Sequence, residues 1–133
     1  MGENILEVKN LKVSIENKKE KFSIINDVSF NLEKGEILGI VGESGSGKSV
    51  TSYSIMGLMN KTAKVEGSII YDNKDLLKIN INELNEIRGH KIAMIFQDPM
   101  TSLNPVYTIG FQISEVLKTH HIECDDYKNR KVV

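Results

Sequence analysis

One octapeptide carries most of the chemistry expected of this chain. Gly42-Glu43-Ser44-Gly45-Ser46-Gly47-Lys48-Ser49 fits G-x-x-x-x-G-K-[ST] at every defined position. Each residue type has a reason to be there if the ligand is a phosphate chain. Gly45 and Gly47 permit backbone angles, and a closeness of approach, that a Cβ prevents. The turn then aims successive N–H groups at phosphate oxygens. A helix beginning at Lys48 adds unpaired N–H groups and the positive end of its dipole. Lys48 supplies a mobile point charge for the β and γ phosphates. The Ser49 hydroxyl can take one Mg²⁺ position, with water filling others. The expected ligand is therefore a nucleoside triphosphate with Mg²⁺, cradled by residues 42–49.

Such a loop works only between a strand and a helix. Residues 36–41, EILGIV, are almost wholly apolar and predict a short strand buried on both faces, as in a parallel α/β sheet. The segment after Lys48, SVTSYSIMGLM, predicts a helix with Val50, Tyr53, Ile55, Met56 and Met59 on its buried stripe, weakened near its end by Gly57. Upstream, residues 5–15 and 22–32 partly alternate apolar and polar, with Val28, Phe30 and Leu32 sharing a face. They predict an antiparallel β layer, with NKKEK at 17–21 as a polar loop and Glu33-Lys34-Gly35-Glu36 as a turn. Downstream, the pattern predicts strands at 65–71 and 91–96, a short helix at 80–88 capped by Asn80 or Asn82, and an amphipathic helix at 108–118 carrying Ile109, Ile113, Val116 and Leu117.

Composition narrows the class. A single Cys excludes an internal disulfide and hence a stapled secreted scaffold. Apolar runs such as 37–41 and 92–96 are far shorter than the roughly 20 residues of a bilayer span, and no signal peptide is evident at the start. A net charge of −1 argues against bulk electrostatic binding, so no nucleic-acid partner is expected. His120, His121, Glu123, Cys124, Asp125 and Asp126 match no standard zinc spacing and read as a solvated tail. His90 reads as the end of a helix or turn.

The stretches ILGIVGESGSGKSVTSYSIMGL and IAMIFQDPMTSLNPVYTIGFQI strongly resemble the ATP-binding subunits of ABC transporters, and within them the oligopeptide, dipeptide or nickel importer group. The resemblance runs from about Leu6 to Lys118. It implies an α/β fold: a P-loop NTPase core, incomplete, with an N-terminal antiparallel β layer. It makes residues 42–49 the Walker A motif and Gln97 the Q-loop glutamine, which would sense Mg²⁺ and the attacking water. It places the 100–106 loop near the surface that receives a membrane-subunit coupling helix. It directs the search for an adenine-stacking residue to Val13, Ile15, Phe22 and Ile24, of which Phe22 is the aromatic one. The implied partners are membrane-spanning permease subunits, a second ATPase subunit and, indirectly, a substrate-binding protein. The implied location is the cytoplasmic face of the cell membrane.

The family's later motifs do not occur in these 133 residues. There is no LSGGQ-like stretch, and no apolar run ends in Asp-Glu. Asp98 follows AMIF, but Gln97 intervenes and Pro99 follows; Asp72 ends too short a run and is followed by Asn73. Phosphoryl transfer depends on positioning and charge stabilisation, so turnover by this chain alone is not expected. The chain is expected to be the N-terminal portion of a longer subunit that energises peptide import. The alternative is a stand-alone module that holds nucleotide, or docks on membrane subunits, without hydrolysis. A small kinase is disfavoured because the chain has only two Arg, Arg88 and Arg130.

Overall fold

The computed structural model describes residues 3–16, 20–98 and 102–120. Two compact units divide the chain, Met1–Leu84 and Asn85–Val133. The first holds a four-stranded antiparallel sheet, built from β1 (Asn4–Glu16), β2 (Lys21–Glu33), β3 (Ala63–Tyr71) and β4 (Lys74–Asp75) in the order β2-β1-β3-β4. Cross-strand neighbours put Val8 against Phe30 and Ile69, Leu11 against Val28, and Val13 against Ile25 and Val65. Directly opposed side chains share a face. Val8, Leu11, Val13, Ile25 and Ile69 are accordingly the buried heart of this unit, joined by Met56 and Leu76.

Strict alternation would send Val8 and Leu11 to opposite faces. An irregularity in the sheet prevents it. The β1–β3 register shifts between Lys9 and Lys12, so that Asn10 and Leu11 stand against Gly67 alone, and the β1–β2 register shifts at the same level. Asn10, Asp27 and Gly67 all have positive φ, at 50°, 72° and 107°. The Asn10 amide donates from Nδ2 to Asp27 Oδ1 at 2.8 Å, and its backbone N–H donates to Ser29 Oγ at 2.8 Å. A Cβ on Gly67 would lie 2.5 Å from the Asn10 carbonyl oxygen. The bulge seam thus crosses three strands, and it resets the alternation of β1 and β2 so that one face stays apolar.

The predicted β1, β2 and β3 are present, as is the turn at Gly35, where Glu36 N–H donates to the Glu33 carbonyl. β4 was not anticipated. Asp72 and Asn73, at φ 46° and 63°, form the two-residue turn of a β3–β4 hairpin, the left-handed pair that such a turn requires. Asp75 then anchors the hairpin: its Oδ1 accepts from the N–H groups of Ile69 and Leu77, and its Oδ2 lies 2.8 Å from Lys78 Nζ. Burial pushes the Asp75 carboxyl upward, but Lys78 and the Leu77 and Ile69 N–H groups outweigh it and hold the pKa below the usual carboxylate value.

Two expected strands are corrected. Residues 36–41 and 93–96 are extended but lie in no strand, apart from an isolated parallel bridge between Arg88 and Ile92. Ile37 is 96% exposed and Ile95 likewise. A parallel strand needs neighbours on its edges and cover on its faces; among the described residues neither segment is given a ladder.

Three helices complete the described structure. α1 (Lys48–Ile55) is shorter than predicted, and its buried face is Thr51 and Ser54, with Met56 buried at its end; Val50, Tyr53, Ile55 and Met59 are half-buried. The hydroxyls can face inward because they bond within their own helix, Thr51 to the Gly47 carbonyl and Ser54 to that of Val50. Gly57, at φ 61°, stops the helix: its N–H reaches Ser54 O and that of Leu58 reaches Tyr53 O, the paired bonds of a Schellman end. α2 (Ile81–Ile87) is capped by Asn80, whose Oδ1 accepts from Glu83 N–H. α3 (Ile109–Thr119), in the second unit, is capped by Thr108. Of its predicted apolar stripe, Leu117 is half-buried, while Ile109, Ile113 and Val116 are at least half exposed.

Candidate functional site: a glycine-rich loop closed on its lysine

The residues singled out as a phosphate cradle form a turn that runs straight into α1. Gly42 to Ser46 are exposed, Gly47 is buried, Lys48 is half-buried and Ser49 is exposed on the first turn of the helix. Gly45 and Gly47 both have positive φ, at 80° and 94°. Gly47 is the N-cap of α1 and sits against β2, where an added Cβ would come 3.2 Å from Ile25 Cγ1. Only glycine meets both demands at position 47. At Gly42 a Cβ would meet Ser46 Oγ at 2.6 Å, so a side chain there would displace the Ser46 hydroxyl from its place beside Lys48.

The first bond of the helix runs from Thr51 N–H to the Gly47 carbonyl, at 2.8 Å. The N–H groups of Lys48, Ser49 and Val50 precede that bond and have no carbonyl four residues back within the helix. Lys48 folds over the same turn. Its ammonium donates to the Gly42 carbonyl at 2.7 Å, to the Glu43 carbonyl at 2.6 Å and to Ser46 Oγ at 3.4 Å. A positive charge is thereby centred on the ring of backbone that precedes a helix N-terminus. A cleft of about 270 Å³ opens beside it, walled by Ile24, Val28 and Phe30 of β2, by Ile40 and Val41, and by Lys48. The arrangement offers convergent N–H donors, one mobile cation and an accessible hydroxyl at Ser49, a set suited to a polyphosphate with a divalent metal.

Gln97 belongs to the second unit, at an exposed bend after Phe96. The structure gathers Gly42–Ser49 into one turn and places Gln97 in the other unit. In the first unit, Val13 is fully buried and Ile24 and Ile15 are half-buried, whereas Phe22 is 57% exposed, paired across the ladder with Ile15. Part of the expected 100–106 loop lies outside the described residues, as do His121, Glu123, Cys124, Asp125 and Asp126. His120 is corrected from tail to helix end: it is the C-cap of α3, and its ring stacks on that of His90 with centroids 6.1 Å apart. Among the described residues no three His, Cys, Asp or Glu are gathered for a metal, and no helix is long and apolar enough to cross a membrane.

Two contributors escaped the sequence reading. Thr51 buttresses Gly47 through its hydroxyl, a bond signalled by its spacing of four residues from the N-cap. Gln112, in α3, spends its whole side-chain amide on the preceding loop; no local pattern announces such a bond.

Comparison with known proteins agrees on one family. The ABC transporter family model matches residues 25–131. The dipeptide transport ATP-binding protein DppD of Haemophilus influenzae is 51% identical over 117 residues, which are 87% of this chain and 36% of that protein. The oligopeptide transport ATP-binding protein AppD of Bacillus subtilis is 52% identical over 118 residues, again 87% and 36%. The chain thus spans about 36% of the length of these curated relatives. Among solved structures, the dimeric bacterial ABC transporter cassette MJ0796 superimposes with a TM-score of 0.75 at 28% identity, covering 90% of this chain and 49% of that one. The fold is accordingly that of part of a P-loop NTPase core bearing an antiparallel β layer. With a glycine-rich loop wound on its own lysine and a family match over most of its length, the chain belongs to the ABC transporter family.

Proposed function

We propose that this chain is the N-terminal portion, residues 1–133, of a nucleotide-binding domain that energises peptide import, and that it holds Mg-ATP on residues 42–49. The observation that carries the proposal is the Lys48 ammonium held between the Gly42 and Glu43 carbonyls over the start of α1. That geometry puts a cation and free N–H donors on one small surface. Gly42, Glu43, Ser44, Gly45, Ser46 and Gly47 shape the cradle, Lys48 neutralises phosphate charge, and the Ser49 hydroxyl is assigned to Mg²⁺. The bound metal would supply charge neutralisation between phosphate oxygens.

Partners follow from the names of the relatives, which are transport subunits for dipeptides and oligopeptides. We assign the protein to the cytoplasmic face of a membrane, with permease subunits, a second ATPase subunit and, through them, a substrate-binding protein. The sequence has no Asp-Glu pair closing an apolar run and no LSGGQ-like stretch, so this chain is assigned binding and not turnover.

Titration of the purified chain with Mg-ATP tests the reading. Saturable binding is expected, weakened about tenfold or more in Lys48→Ala because a charge-assisted contact to phosphate is lost, with no phosphate release in either protein. Binding indifferent to Lys48→Ala overturns the assignment of the cradle. Phosphate release abolished by Lys48→Ala overturns the claim that the chain only binds.

A further inference from the structure

We infer that Gln112 is a positioning residue, which sets the Asn104–Tyr107 loop in one shape before any partner arrives. The inference rests on the proposed docking of this chain to membrane subunits.

Among the described residues the loop makes two backbone-directed bonds of its own: Val106 N–H to Asn104 Oδ1 at 3.0 Å, and Tyr107 N–H to the Asn104 carbonyl at 3.2 Å. Gln112 supplies three more from a single side chain. Its Nε2 donates to the carbonyls of Asn104 and Tyr107, both at 3.0 Å, and its Oε1 accepts from Asn104 N–H at 2.9 Å. Both hydrogens and the oxygen of the amide are committed to loop backbone. Gln112 is itself fixed by α3, whose first turn is capped by Thr108, with Phe111 N–H on its hydroxyl. The ring of Tyr107 stacks on Phe111 at 5.1 Å, and Pro105 restricts the loop's backbone between Asn104 and Val106.

This tied segment displays large apolar side chains. Leu103, Val106 and Tyr107 are at least half exposed. A flexible loop carrying them would lose conformational freedom on docking, and one already ordered loses less. Gln112 thereby strengthens docking without touching the partner. Asparagine is too short to span the same three groups, and glutamate at neutral pH has no hydrogen to offer the two carbonyls.

Gln112→Met tests the idea, since Met keeps the length and helix preference but none of the bonds. Hydrogen exchange on the 133-residue chain should show Asn104 and Tyr107 amides losing protection about tenfold or more, with Leu11 and Ile69 amides unchanged. Unprotected Asn104 in the parent chain, or protection unchanged in Gln112→Met, overturns the proposal. Sedimentation with vesicles carrying the membrane subunits of a dipeptide importer supplies the second readout. Gln112→Met should weaken association about tenfold, and Val106→Asp should weaken it with exchange at Asn104 unaltered. If Val106→Asp weakens association and Gln112→Met does not, the positioning role is overturned. If neither changes association while exchange responds, the docking reading fails and loop ordering by Gln112 stands.

Discussion

Val13 and Val41 are the same residue in two segments that both predict strands, yet Val13 is wholly buried and Val41 is 93% exposed. The difference lies in their neighbours. Val13 has a strand on each side, with Ile25 and Val65 opposite it. Residues 36–41 have no ladder among the described residues. An antiparallel partner can be supplied by a turn of a few residues, whereas a parallel one comes only through a crossover of a dozen or more. The β layer finds all its strand partners among the described residues. The segment leading into the glycine-rich loop does not, although the loop itself is shaped.

The contrast is broken most severely by emptying the core of the sheet. Ile69→Ala should cost about 2–5 kcal/mol in urea unfolding, because Ile69 is fully buried. Ile37→Ser, at a residue 96% exposed, should stay within about 0.5 kcal/mol. Equal losses from the two substitutions would abolish the distinction between the regions. Gly67→Ala should follow, at about 2–3 kcal/mol, since the new Cβ meets the Asn10 carbonyl oxygen in a backbone conformation that disfavours any side chain. Among the destabilising substitutions the mildest is expected at Asp75, where Asp75→Asn should cost about 1 kcal/mol at pH 7. Its carboxyl is held low by Lys78 and two N–H groups despite burial. A depressed folded pKa means that the stabilisation is full above the unfolded value, about 3.9, and fades as pH falls through the folded value. The gap between the parent chain and Asp75→Asn should therefore close below about pH 4, and a gap that widens in acid would contradict the assigned ion pair.

How far the sequence could be read follows the same line. The turn at residues 42–49 was legible as a turn because Gly45 and Gly47 take positive φ and Lys48 folds back on it. So were β1 and β2, which a short loop joins, and the Asn80 cap, which acts three residues along its own helix. The strands expected at 36–41 and 91–96 failed because an apolar run reports a wish for burial and not the presence of a partner. The α1 stripe was only partly right: Met56 is buried, but Thr51 and Ser54 satisfy their hydroxyls inside the helix and take the fully buried face. Asp72-Asn73 was a hairpin signal overlooked, whereas the match of Asn10, Asp27 and Gly67 depends on strands far apart in the chain.

That three-strand seam bears on how the chain finds its structure. Sliding one strand past another by a single residue turns its apolar side outward and is rejected at once. Sliding by two keeps every side chain on its proper side, and hydrophobicity alone is nearly blind to it. Asn10, Asp27 and Gly67 are not interchangeable with the residues two places along, since each accepts a positive φ and Gly67 alone tolerates the carbonyls pressed against it. The seam works as an index mark: it makes two-residue misalignments costly and so removes the decoys closest to the native sheet from the folding search.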